Sequence, residues 1–189
     1  MAEKRRRISG SSRTIILLKR SPSKLRQTMQ DSVAVGLGEW KISRNTEEVL
    51  VAYGLGSCVG IGMYDPQLRL AGLLHAVLPA SPNGVTERSA KYVTSGIEIL
   101  LEEMIKAGAI PSRILVRMAG GANMLTAPGF SKTFNIGTRN VEAAHEMLQR
   151  LRLRLVSEEV GGTIGRTVRF YVCDGRMTIR TVGNQEREI

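Results

Sequence analysis

Aromatic side chains make up only 4% of the 189 residues. Stacking platforms are therefore a poor candidate for this chain's means of recognition, and small and branched aliphatics must fill its core. Cysteine is equally scarce: Cys58 and Cys173 lie far apart, without metal-ligand spacing, which argues against a zinc site and against a disulfide scaffold. Long hydrophobic runs are missing too. The longest early one, Ile15-Ile16-Leu17-Leu18, has four residues, against roughly 20 for a membrane-spanning helix. No transmembrane segment and no leader with a small-residue cleavage site is expected, and a reducing cytoplasm is the simplest setting.

Positive charge is abundant but unevenly placed. The formal net charge is +10, yet nine Lys or Arg stand against only Glu3 and Asp31 between Met1 and Asp31. Residues 1–31 combine KRRR, SGSS and SPS without a sustained period and read as a basic, mobile extension. Residues 32–189 read as one folded domain, nearer to neutral. A charge run without aromatics binds polyanions only non-specifically, so no specific nucleic-acid partner is expected.

From Val33 onward Val, Ile, Leu and Gly dominate. Strands are expected at Val33–Trp40, Val49–Gly56, Cys58–Tyr64 and Leu68–Leu78, followed by a loop through Ala80–Gly84. Apolar residues at Tyr92, Val93, Ile97, Leu100, Leu101, Met104 and Ile105 give the spacing of an amphipathic helix over Arg88–Lys106, stopped by Gly108. A strand at Arg113–Ala119 and a second helix at Thr138–Leu151 follow. Strands at Leu153–Val160, Arg166–Cys173 and Arg176–Val182 complete the chain, the last two joined by a two-residue turn at Asp174-Gly175. The pattern predicts an α+β fold of mixed sheets with helices outside.

Chemistry concentrates at one junction. Cys58 follows Gly54-Leu55-Gly56-Ser57, a bend that can present a sulfur because glycine accepts backbone angles and close approaches closed to other residues. N–H groups turned outward by such a bend, with Gly56 and Ser57 as the positioning residues, can stabilise an oxyanion. A thiol needs a base at neutral pH, and only His75 and His145 are available. His75 lies within the apolar run Leu73–Pro79, where an unpaired polar group is costly. His145 sits among Glu142 and Glu146 on a helix and reads as a surface residue. Buried cysteine is also common as a small hydrophobe, so spacing alone leaves the pair a candidate, and Cys173 reads as structural. The glycines at 54, 56 and 60 miss the dinucleotide fingerprint, because Val59 occupies the required glycine position and a strand follows.

Taken in order, Gly54-Leu55-Gly56-Ser57-Cys58-Val59, Tyr64-Asp65-Pro66, His75 with Leu78-Pro79, and Lys91-Tyr92 form a series. Met118–Met124, Asn135–Asn140 and Gly161-Gly162-Thr163 extend it. This series resembles the chemoreceptor glutamine deamidase family, CheD. The resemblance implies a sandwich of mixed sheets similar to the catalytic fold of the cytotoxic necrotizing factors. It also implies a Cys58–His75 thioester mechanism acting on glutamines in the cytoplasmic helices of a methyl-accepting chemotaxis receptor, with no metal or organic cofactor. A response-regulator phosphatase is a second implied partner, and a regulatory binder of that phosphatase with little catalysis is the alternative reading. One position departs from the family: the threonine expected six residues before the cysteine, where it helps hold the histidine, is Ala52.

Overall fold

A computed structural model describes residues 31–82, 88–124 and 135–189. The basic stretch 1–30 and the Asn83-Gly84 part of the expected loop lie outside the described residues. Two five-stranded mixed sheets stack face to face, and two helices cover the outer face of one of them, so the α+β sandwich is observed. The first sheet has the order β1-β3-β8-β9-β10 and the second β2-β5-β4-β6-β7. Their strands are β1 Asp31–Ala34, β2 Glu39–Ser43, β3 Glu48–Leu55, β4 Val59–Asp65, β5 Leu70–Ala76, β6 Leu115–Gly120, β7 Arg154–Val160, β8 Arg166–Tyr171, β9 Met177–Thr181 and β10 Arg187–Glu188. The helices are α1 Val93–Lys106 and α2 Ile136–Arg150.

Strands β4 and β5 form the middle of three layers, and every residue of both is buried. A strand covered on both faces has no solvent side, which is why these two read as continuous apolar runs and not as alternations. Val59, Ile61 and Met63, with Leu70 and Leu74, face α1 and α2. Tyr64, Ala71 and Leu73 face the other sheet, where they meet Leu50, Ala52, Val168 and Phe170. Phe170 is fully buried, and burying such a side chain contributes about 1.5–3 kcal/mol. It needs Gly62, because a Cβ there would stand 2.8 Å from its ring.

Two expectations are corrected. The single strand predicted over Val33–Trp40 is two strands in different sheets: β1 pairs parallel with β3, whereas β2 pairs antiparallel with β5. Gly38, at φ +70, closes the turn between them, so a continuous apolar reading hid a crossing from one layer to the other. β1 also opens at Asp31, the last residue of the stretch assigned to the extension. The turn between β8 and β9 spans four residues and not two. Phe170 pairs with Met177 and the Tyr171 N–H donates to the Arg176 carbonyl, leaving 172–175 as the loop, with Gly175 at φ +71.

The far end of β4 is closed by an ion pair. Asp65 is fully buried and accepts from Arg113 Nη2 at 2.6 Å, from the Ile110 N–H at 3.2 Å and from the Gln67 N–H at 3.0 Å. Burial pushes its carboxyl up, but Arg113 and the two N–H groups outweigh it and hold the group below its ordinary value.

Candidate active site

Cys58 stands at the opposite end of β4. β3 ends in a bulge between Ala52 and Leu55, with Gly54 at φ +65, and the chain bends through Gly56 and Ser57 into β4. Three consecutive carbonyls of this bend are pinned: Gly56 accepts from the Ala122 N–H at 2.8 Å, Ser57 from Asn140 Nδ2 at 2.7 Å, and Cys58 from the Gly121 N–H at 2.8 Å. Glycine is required behind the bend. A Cβ on Gly120, whose φ is +123, would lie 2.3 Å from the Cys58 carbonyl oxygen, and one on Gly137 would lie 2.4 Å from that of Gly121. The Met118–Met124 and Asn135–Asn140 stretches thus converge on the cysteine, one as backbone and one as the start of α2.

His75 reaches the same place from β5. Its register partner on β4 is Gly60, which has no side chain to obstruct the ring, and Cys58 lies two residues before Gly60 on the same inter-sheet face. Diagonal neighbours of this kind have backbones about 7–8 Å apart, within reach of an imidazole. Nδ1 lies 3.1 Å from the Val35 carbonyl oxygen. A carbonyl can only accept, so Nδ1 carries the proton and, in the neutral ring, Nε2 offers a lone pair. Nε2 is buried and has no partner among the described residues. Burial pushes the imidazole below its ordinary value against the opposing effect of the Val35 bond, and burial pushes the Cys58 thiol up, partly offset by its own N–H. Both shifts favour the uncharged forms, a neutral thiol and a neutral imidazole.

Val35 holds the ring because of where the chain crosses layers. Its N–H donates to the Val51 carbonyl at 2.8 Å, continuing the β1–β3 ladder. Its side chain is buried between the sheets, and the turn into β2 follows. Ala52 lies in the same inter-sheet layer, fully buried, and its methyl group offers no hydrogen bond. The Nδ1 partner in this chain is thus a main-chain carbonyl. No side-chain motif could have marked Val35; the visible signal was the Gly36-Leu37-Gly38 break. Asn140 was visible as part of a motif stretch, but its bonds to the bend were not.

The other candidates fall elsewhere. His145 is on the exposed side of α2, with Nε2 2.7 Å from Glu158 on β7. Cys173 lies in the β8–β9 loop on the outer side of its sheet. The helix-surface position expected for His145 is observed. Among the described residues no helix is long and apolar enough to cross a membrane.

The profile of the CheD family, described as CheD chemotactic sensory transduction, matches residues 77–181. A protein of Symbiobacterium thermophilum named probable chemoreceptor glutamine deamidase CheD is 44% identical over 158 residues, covering 82% of this chain and 96% of that protein. Proteins of the same name from Caldanaerobacter subterraneus and Archaeoglobus fulgidus are each 45% identical over 152 residues. They cover 79% and 80% of this chain, and 93% and 94% of their own lengths. Among solved structures, the Bacillus licheniformis hypothetical protein YfiH overlaps 66% of this chain and 51% of its own at 13% identity, with a TM-score of 0.45.

Proposed function

Because this chain belongs to the CheD family, we propose that it is a protein-glutamine glutaminase that converts glutamine to glutamate on the cytoplasmic helices of a chemoreceptor, with Cys58 as nucleophile and His75 as base. Residues 32–189 form the catalytic unit, working in the cytoplasm where those helices lie. The observation that carries the reading is the Nε2 lone pair of His75. The Val35 carbonyl holds Nδ1–H, so the free nitrogen is buried without a partner among the described residues, on the face that Cys58 shares. An unpaired buried polar atom costs stability, and a catalytic role explains its retention.

The chemistry follows from this geometry. Nε2 takes the thiol proton as the sulfur attacks the glutamine side-chain carbonyl, and the oxygen of the tetrahedral species bears the negative charge. His75 returns the proton to the nitrogen, the C–N bond breaks, and ammonia leaves a glutamyl thioester. Water, deprotonated by Nε2, then attacks that thioester, and cleavage of the C–S bond releases glutamate and restores the thiol. The bond to Val35 orients the ring and stabilises the imidazolium formed in each half-reaction, the part a third residue plays in other nucleophile–base sites. Ala52 therefore need not leave the base unsupported. A purely regulatory binding protein would have no use for a buried histidine with a free nitrogen beside a cysteine.

Incubation of the protein with a receptor cytoplasmic fragment tests the reading by peptide mass spectrometry. Selected glutamine peptides should gain the amide-to-acid mass increment, and Cys58→Ala should leave them unchanged. Glutamine peptides that stay unaltered with the wild-type protein would sink the proposal.

A further inference from the structure

We infer that Asn140 is a positioning residue that aims the oxyanion-stabilising N–H groups of the Ser57–Cys58 bend, an inference that rests on Cys58 attacking a carbonyl.

Asn140 is fully buried on α2. Its Nδ2 carries two hydrogens and makes two bonds, to the Ser57 carbonyl at 2.7 Å and to the Val77 carbonyl at 2.9 Å. The last β4–β5 ladder pair is Val59 with Ala76, so Asn140 bridges the two strands where their own ladder has stopped. One amide group therefore ties the residue before the nucleophile to the strand end two residues beyond the base. Gly137 makes this reach possible: without a Cβ the first turn of α2 lies directly against the Gly121 backbone, and Asn140 projects from the same helix face three residues later.

The consequence for catalysis comes from peptide planarity. In a trans peptide the C=O of one residue and the N–H of the next point in opposite directions. Holding the Ser57 carbonyl on Asn140 turns the Cys58 N–H away from α2. Holding the Gly56 carbonyl on Ala122 does the same for the Ser57 N–H. The Cys58 N–H belongs to the nucleophile's own residue, so turning it away from α2 offers a donor beside the sulfur, where the oxygen of an attacked carbonyl gathers charge. Donors fixed before the reaction stabilise that charge without reorganisation, and misaiming one is costly. Gly56 and Ser57 then contribute peptide planes, not side chains, to the site.

Two reactions of Cys58 separate this role from a brace that merely keeps the domain folded. Acylation by p-nitrophenyl acetate passes through a tetrahedral oxyanion: the sulfur adds to the carbonyl, p-nitrophenolate leaves and an acetyl thioester forms. Alkylation by iodoacetamide is a direct displacement of iodide and forms no oxyanion. Asn140→Ala should slow acylation by about 10- to 100-fold while alkylation stays within about twofold. Deamidation of the receptor fragment should lose kcat with KM little changed. Equal falls in acylation and alkylation would overturn the inference in favour of a brace, as would acylation at the wild-type rate. If Asn140→Ala does not fold, as judged by circular dichroism, Asn140→Ser takes its place in the same pair of assays. Because acylation needs no receptor, a wild-type protein that acylates but leaves receptor glutamines untouched would count against the substrate assignment and not against Asn140.

Discussion

The two ends of β4 solve the same problem in opposite ways. At the Asp65 end a fully buried carboxylate is surrounded by Arg113 and by the N–H groups of Ile110 and Gln67. At the Cys58 end His75 Nε2 and Asn140 Oδ1 are buried without partners among the described residues, while the cysteine is gripped through its backbone carbonyl. Burying an unpaired polar atom costs about 1–3 kcal/mol, and a fold that avoids this cost at one end of a strand has accepted it at the other. In the proposed function the satisfied end serves stability and the unsatisfied end serves chemistry.

Substitutions at the two ends should separate along that line. The largest effect is expected for Cys58→Ala, which should eliminate turnover and leave the melting temperature near wild type. Cys173→Ala, at the other thiol, should keep full activity, and a loss there comparable to that at Cys58 would break the assignment. Next, His75→Ala should lower kcat by about 10²–10⁴, read from the deamidation rate at saturating receptor fragment. Asp65→Ala should do the reverse. Leaving Arg113 without its buried partner should cost about 3 kcal/mol, seen as a midpoint shift in urea unfolding, with activity per folded molecule retained.

The pH dependence probes the Cys58 end with a smaller change. The His75 pKa is lowered in the folded state, mainly by burial, so the base stays neutral to lower pH than a free imidazole. The acid limb of kcat/KM should therefore lie below the ordinary histidine value of about 6.5, falling about tenfold per pH unit beneath it. The same shift means that the unfolded chain binds the proton more tightly. Its stability contribution is complete above the unfolded value and is lost as pH falls through the window down to the folded one. A limb above 6.5 would mean that His75 is exposed or paired with a thiolate. The smallest effect is expected for Ala52→Thr. With Nδ1 already on the Val35 carbonyl, an added hydroxyl should raise kcat by less than about threefold, and a tenfold gain would show that the carbonyl is an incomplete substitute.

Much of the fold was legible where local chemistry decides it. The helix through Val93, Ile97, Leu100 and Met104 shows its stripe in sequence because those side chains all pack on one surface. β4 and β5 were visible as apolar runs bounded by turn residues. The Val33–Trp40 segment misled because both β1 and β2 are strands and the turn between them is short. Only pairing partners distinguish one long strand from two short ones in different sheets.

The candidate site divides in the same way. Cys58 after its glycines, His75 in an apolar strand and the ordered family motifs are properties of the sequence, and with them the sequence determined the fold class and the family and pointed to the candidate pair. Tertiary structure alone decided what steadies that pair: the Val35 carbonyl on Nδ1 and the Asn140 amide on the Ser57 carbonyl. The reason is physical. A side chain's chemistry is written in its residue name, but every residue has a carbonyl, and which one meets a given nitrogen depends on layers and registers formed by residues 40 to 83 positions apart in the chain.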